Sequence, residues 1–332
     1  MPEKLNLPSR LRRNRKSASI RALVRETVLS PSDLIYPLFI QEGKSNDPIE
    51  SMPGCFRWSL SGLVEEAAEA LEVGVGAVVL FPKIDDELKS PEAEECYRQD
   101  GLVPRAIAAI KEALPEMTVI TDVALDPYNS EGHDGIVERD KTGEPRILND
   151  ETIEVLCRQA LCHAEAGADI ISPSDMMDGR VGAIRAALDQ DGHEEAAILS
   201  YTAKYASAYY GPFRGALDSA PRGGDKMTYQ MDPANGREAI REAELDIEEG
   251  ADMIMVKPAG PYLDIVRLLR DSFEVPLAAY QVSGEYLMIK SAAAAGWVDE
   301  EKVVMESLLG IKRAGADMIL TYFAKQVAAT LA

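Results

Sequence analysis

The chain of 332 residues is poor in histidine, cysteine, aromatic residues and positive charge. Only His133, His163 and His193 are present, and His163 and His193 stand without metal-ligand spacing around them. The four cysteines, Cys55, Cys96, Cys157 and Cys162, form no C-x-x-C pair and suggest no disulfide framework. Reduced, mostly buried thiols are therefore expected. Lys and Arg number 35 against 56 Asp and Glu, a formal net charge of −21. Nucleic acid is excluded as a main partner, because phosphate binding needs a basic field. No run of about 18 apolar residues exists, so no membrane-spanning helix is expected. Arg10, Arg12, Arg13, Arg15 and Lys16 crowd the start, but no apolar stretch follows them as in a signal peptide. The expectation is a cytoplasmic protein.

What is there is an ordinary globular composition, 46% hydrophobic and 27% charged. The length fits two domains, or one α/β barrel with an arm. One repeat decides between them. A helix-like segment ends in glycine and an apolar run follows at once. Gly74-Val75-Gly76-Ala77 precedes Val78-Val79-Leu80-Phe81, and Gly167-Ala168-Asp169 precedes Ile170-Ile171. Gly250-Ala251-Asp252 precedes Met253-Ile254-Met255-Val256, and Gly315-Ala316-Asp317 precedes Met318-Ile319-Leu320. Glycine supplies the left-handed residue that closes a helix. A wholly apolar strand directly after it is buried on both faces, as in parallel sheets.

Eight such strands are predicted, at 34–41, 76–82, 118–125, 168–174, 196–203, 252–258, 275–282 and 317–323. Amphipathic stretches separate them. Leu63, Ala67 and Leu71 share one face, with Glu65, Glu66 and Glu69 placed on others; Ile153, Leu156, Ala160 and Ala164 repeat the pattern. Eight βα units close into a (β/α)8 TIM barrel. An open doubly wound sheet is the alternative, but 41–48 (QEGKSNDP) is no Gly-rich phosphate loop. Residues 1–33 form a basic, extended N-terminal arm outside the barrel at 34–332. Residues 205–236, rich in Gly and Pro, form a loop too long to be a mere connection, and are read as an active-site lid.

Barrel active sites lie at the C-terminal ends of the strands. Lys204 ends the fifth strand and Lys257 the sixth, so two ammoniums point into one mouth. Like charges in a partly dry pocket depress a lysine pKa, and a neutral amine is what Schiff-base formation with a ketone requires. Ser283 and Tyr322 could hydrogen-bond a substrate carboxylate. Arg214, Arg222 and Lys226 put cations on the lid, which suits an anionic substrate. His133, within Asp126 to Asp134, could join an oxygen-rich metal site, or the stretch could be a plain acidic loop. On these residues alone, an aldolase with one reactive lysine and a non-catalytic barrel stay open.

The segments TDVALDPYNSEGHDG (121–135), SPSDMMDGR (172–180), SYTAKYASAYYGPFR (200–214), MVKPAGPYLDIV (255–266), YQVSGEY (280–286) and AGADMILTYFAK (314–325) resemble the porphobilinogen synthase, or 5-aminolevulinate dehydratase, family. So do RLRRNR and VRETVLSPSDLIYPLF in the arm; the match runs along almost the whole chain. The resemblance implies condensation of two 5-aminolevulinate molecules to porphobilinogen, with loss of two waters, in tetrapyrrole biosynthesis. Lys257 matches the Schiff-base lysine for the first substrate and Lys204 the second active-site lysine. Ser283 and Tyr322 match the clamp on the first substrate's carboxylate; Arg214 and Lys226 match that on the second. The family's octamer, with arms embracing neighbouring barrels, is implied too. Zinc-dependent members carry three cysteines where this chain has Ala124, Asp126 and Asp134, so the resemblance is to the zinc-independent branch, with no catalytic zinc. Asp126 and Asp134 are left to orient the second substrate's amine or to hold a cation. Glu242 matches a remote position that takes hydrated Mg2+ at a subunit interface and acts allosterically.

Overall fold

The computed structural model describes residues 7–331. Among them, eight parallel strands follow one another in sequence order: β1 (Leu34–Gln41), β2 (Ala77–Lys83), β3 (Thr118–Val123), β4 (Ile170–Pro173), β5 (Ala197–Lys204), β6 (Met253–Lys257), β7 (Leu277–Gln281) and β8 (Met318–Thr321). Each pairs with the next, and β8 pairs back on β1 through Leu34 with Ile319 and Ile35 with Leu320. The sheet is thus closed, with helices between its strands, and it is the expected (β/α)8 barrel. No helix among the described residues is long and apolar enough to cross a membrane.

The Gly-Ala-Asp repeat does more than end helices. Gly167, Gly250 and Gly315 adopt φ of 101°, 104° and 127°, where a side chain would be strained. The aspartate after each then bonds the preceding strand. Asp169 accepts from Val119 N at 2.7 Å, Asp252 from Ile198 N at 2.7 Å and Asp317 from Leu277 N at 2.8 Å. These carboxylates set the register at the end of the barrel opposite the catalytic mouth. Strands predicted to begin at 168, 252 and 317 begin one or two residues later, because the aspartates cap the ladder rather than join it.

The helix Leu60–Glu72 starts where Ser59 Oγ accepts from Gly62 N, and it buries Leu63 and Ala67 as expected. Glu66 departs from expectation: it lies on the buried face, bonded by Tyr36 Oη at 2.8 Å and Lys325 Nζ at 2.6 Å. An ion pair and a phenol compensate the buried carboxylate there. Two hairpins were not foreseen. Asp47–Pro48 pairs with Phe56–Trp58 beside β1, and Ile136–Arg139 pairs with Pro145–Leu148 after β3.

In the arm, residues 1–6 lie outside the described residues. From residue 7 to Val28 it is exposed or half-exposed, with a turn at Leu11–Arg15 and a short helix at Ala18–Leu23. Leu11 and Leu23 are 71% and 84% exposed, while Leu29 is buried in the barrel. The segment 205–236 crosses the barrel mouth and holds the short helix Gly211–Leu217. The four cysteines are free; Cys96 and Cys162 are buried, Cys55 and Cys157 half-buried. Burial pushes the Cys55 and Cys162 thiols up to about 12 and 11, which keeps them unreactive.

Candidate active site

Lys204 and Lys257 are direct partners in the β5–β6 ladder. Strict alternation from Tyr201, whose ring faces Lys257, would turn Lys204 out towards the helices. A bulge prevents this. Ile254 pairs with Ser200 but Val256 pairs with Ala203, so β5 carries one extra residue. The alternation slips by one, and both lysines face the barrel interior.

The two ammonium groups have different surroundings. Lys257 Nζ is ringed by Tyr280 at 4.8 Å, Tyr201 at 4.9 Å, Phe213 at 5.2 Å and Tyr210 at 5.3 Å from the ring centroids. Burial, with the nearby Lys204 charge second, brings its pKa down to about 7, against the opposing pull of Asp122, Asp126 and Asp134. Sequence reasoning named the like charge as the cause; the dry aromatic wall is the larger one. Lys204 Nζ donates to Asp134 Oδ1 at 3.2 Å and to the Ser174 carbonyl.

Lys226 descends from the lid onto two carboxylates, Asp134 Oδ2 at 2.9 Å and Asp126 Oδ2 at 3.3 Å. Burial opposes its charge, but the two carboxylates prevail and raise its pKa. Asp134 is also buried, yet Lys204 and Lys226 hold its carboxyl well below the usual range. Asp122, on β3, opens into the same space. Desolvation pushes it up to about 6, against the pull of Lys257 and Lys204. Arg214 lines the cavity and makes no ion pair among the described residues.

Thus Lys204, Lys257, Asp126, Asp134, Arg214 and Lys226 meet at one cavity. Ser283 and Tyr322 stand one layer back. Ser283 Oγ accepts from Phe213 N at 3.0 Å, so the closed lid occupies it. The Tyr322 hydroxyl lies 2.9 Å from that of Tyr280, and its ring stacks on Phe39. Glu242 is elsewhere, on the helix Glu238–Glu248, lining a cavity of about 570 Å³ with Glu238 and Asp178. Arg222 is exposed on the lid, 3.9 Å from Asp86. The ring nitrogens of His133 meet Tyr229 Oη at 3.1 Å and Gly223 O at 2.9 Å, which ties 205–236 to the barrel. No group of three His, Cys, Asp or Glu residues among those described is arranged to hold a metal.

The lid is shut. Arg57 Nε donates to Ala216 O at 2.6 Å, and Ser51 Oγ to Pro212 O at 3.0 Å. Phe213 packs edge-on to Phe81 at 5.1 Å. The cavity beneath is about 30 Å³, room for a water or two and far less than the several hundred Å³ of an ordinary small-molecule pocket. Any organic substrate must enter with 205–236 displaced. Sequence reasoning missed the aromatic ring around Lys257. Three of its members, Tyr201, Tyr210 and Phe213, lie within a dozen residues of Lys204, but no spacing rule marks them.

Fold and site together define a (β/α)8-barrel enzyme with paired lysines at its mouth. The family model described as "Delta-aminolevulinic acid dehydratase" matches residues 8–330. The chain is 60% identical to the chloroplastic delta-aminolevulinic acid dehydratase of Physcomitrium patens over 98% of its own length and 74% of the relative's. It is 60% identical to the chloroplastic enzyme of Glycine max, over 98% and 79%. Among solved structures, the delta-aminolevulinic acid dehydratase (porphobilinogen synthase) of Toxoplasma gondii, in complex with porphobilinogen, superposes with a TM-score of 0.95 at 54% identity, over 98% of this chain and 92% of that one. The chain belongs to the delta-aminolevulinic acid dehydratase family and is a hydro-lyase, EC 4.2.1.24. The names also correct one expectation. A cytoplasmic location is contradicted, since relatives at this identity are chloroplastic proteins.

Proposed function

We propose that the reaction, two 5-aminolevulinate molecules to porphobilinogen and two waters, runs through lysine Schiff-base chemistry at Lys257. The carrying observation is a lysine walled by four aromatic rings whose pKa is lowered to about 7. Its neutral amine attacks the first substrate's ketone carbon, and expulsion of the carbonyl oxygen as water leaves an imine. Lys204, its ladder partner, engages the second ketone. Asp122, poised near pH 6, is the carboxyl able to pass protons between them.

Carboxylate recognition follows the same geometry. Arg214 and Lys226 come with the lid and grip the second substrate's carboxylate, so binding and closure are one event. Ser283 and Tyr322 take the first substrate's carboxylate. Withdrawal of Phe213 exchanges a backbone N–H on Ser283 for the substrate.

No catalytic zinc is needed in this reading. Ala124 has no donor atom, and Lys204 and Lys226 already neutralise Asp126 and Asp134. Two carboxylates without a thiolate suit a hard cation or an amine better than zinc. Asp126 and Asp134 therefore orient the second substrate's amine.

Glu242 is proposed to take hydrated Mg2+, which would add positive charge and ordered waters there. Burial pushes its carboxyl up to about 7 against the pull of Arg180, with Asp246, Asp178 and Glu238 adding to the rise. A cation that keeps its waters needs only one or two such carboxylates. The exposed Leu11 and Leu23 on a basic arm support assembly, with a homo-octamer as the proposed form.

The test is porphobilinogen formation from 5-aminolevulinate after exhaustive chelation, then with Mg2+ or Zn2+ restored. Activity that survives chelation or returns with Mg2+ alone is expected. A strict zinc requirement would overturn the reading of Asp126 and Asp134.

A further inference from the structure

The Lys204 ammonium has two acceptors, the Asp134 carboxylate and the backbone carbonyl of Ser174. Ser174 stands just past the end of β4, where its N–H donates to Val123 O at 3.0 Å. The direction of its carbonyl is then set by the turn that follows. Met176 in that turn has φ of 71°, a left-handed conformation that a non-glycine residue keeps only when its surroundings impose it.

Two buried side chains impose it. Asp175 Oδ1 accepts from Met177 N at 2.7 Å, bracketing Met176. Arg180 Nη2 approaches Met176 Sδ at 3.7 Å. Arg180 is itself anchored, by Asp246 Oδ1 at 3.0 Å and Ser200 Oγ at 3.1 Å. Its Nε lies 3.9 Å from Asp175 Oδ2, and neither atom has a hydrogen-bond partner among the described residues. Neither residue lines the catalytic cavity. A buried ionic cluster is costly to keep unless it specifies something.

We propose that Asp175 and Arg180 are positioning residues, which lock the 174–177 turn so that the Ser174 carbonyl holds the Lys204 ammonium beside Lys257. The proposal rests on the Schiff-base reading above. Its consequence is electrostatic. The charged groups facing Lys257 are Lys204, Asp122, Asp126 and Asp134, with Arg214 and Lys226 on the same cavity, and among these charges Lys204 does most to favour the neutral amine. A Lys204 that drifts from its acceptor releases Lys257 to bind its proton more tightly. Asp175 faces Arg180 and Lys204.

The full-length Asp175→Asn, Asp175→Ala and Arg180→Lys variants test this. Each is assayed for kcat and KM, for melting temperature, and for the pH midpoint of borohydride trapping of 5-aminolevulinate on Lys257. Asp175→Asn keeps the acceptor for Met177 N and should stay within about threefold of wild type in kcat. Asp175→Ala loses it. Its kcat should fall about 10- to 100-fold, the cost of a misplaced reacting group, and its trapping midpoint should move to higher pH. Loss of stability alone would not move that midpoint. If Asp175→Ala does not fold, Arg180→Lys decides: it keeps the buried charge but drops the forked contacts, and the same upward shift is expected. A wild-type midpoint in the folded variants overturns the proposal. Absence of trapping in the wild type removes the Schiff-base reading and this one with it.

Discussion

Lys257 shows how much one side chain's surroundings decide. Four aromatic faces attract a cation, yet loss of water outweighs them and leaves the amine half-neutral near pH 7. The neutral form is the lower-proton state, so it dominates above that pH. Borohydride trapping should be flat above about pH 8 and fall about tenfold per pH unit below 7. A midpoint near 10, the ordinary lysine value, would sink the assignment. Lys257→Met should fold and lose at least about 10⁴-fold in kcat. Lys204 could not be replaced by this logic: it is ion-paired, and its charge is part of what keeps Lys257 neutral.

Between elements, the lid meets the barrel with no spare room. Gly284 opens the helix Ser283–Ala294, where an added Cβ would stand 2.4 Å from Tyr209 O and 2.8 Å from Tyr209 Cα. Backbone cannot move aside as a flexible side chain can. Gly284→Ala should therefore push the lid off Ser283, raise KM about tenfold and cost about 1–3 kcal/mol. Steady-state kinetics with a thermal melt would check both, and wild-type values in each would show the lid to be looser than described. At the opposite end of the barrel, Asp169, Asp252 and Asp317 bond backbone N–H groups of the preceding strands, Asp169 and Asp317 also pair with Lys111 and Arg270, and none of the three lines the catalytic cavity.

Across the molecule, buried carboxyls set the pH response. Burial pushes Asp122 and Asp175 up to about 6, and Glu242 and Glu285 up to about 7. Between about pH 4.5 and 7 the folded state holds these protons while the unfolded chain has released them. Stability therefore falls as pH rises through that window. His163, lowered by burial to about 3, works in the opposite sense between pH 3 and 6.5, and Lys257, lowered to about 7, does so above about pH 7, but these are two groups against four. Mutual repulsion within a net charge of −21 adds to the loss. The melting temperature should be higher at pH 5 than at pH 7.5 at matched ionic strength; the reverse order would show these carboxyls to be ionised. For the proposed octamer, Glu242→Ala should weaken Mg2+ stimulation or assembly, read by light scattering with and without Mg2+. If both are unchanged, Glu242 is not the cation's ligand.

Sequence alone determined the barrel, because a helix-closing glycine before a buried apolar run is a local signal that appears four times, within a series of eight such runs. It also determined that two lysines end adjacent strands, since strand order follows chain order here. Tertiary structure decided everything that depends on approach from far along the chain. The bulge in β5 turns Lys204 inward, a slip of one residue that no periodicity announces. The lid carries Lys226 onto Asp126 and Asp134 from about a hundred residues away, and seats Phe213 on Ser283. The aromatic wall gathers rings from β5, β7 and the lid. These contacts set which amine is neutral and which is charged, because desolvation and pairing depend on distance in space, and distance in sequence carries no measure of either.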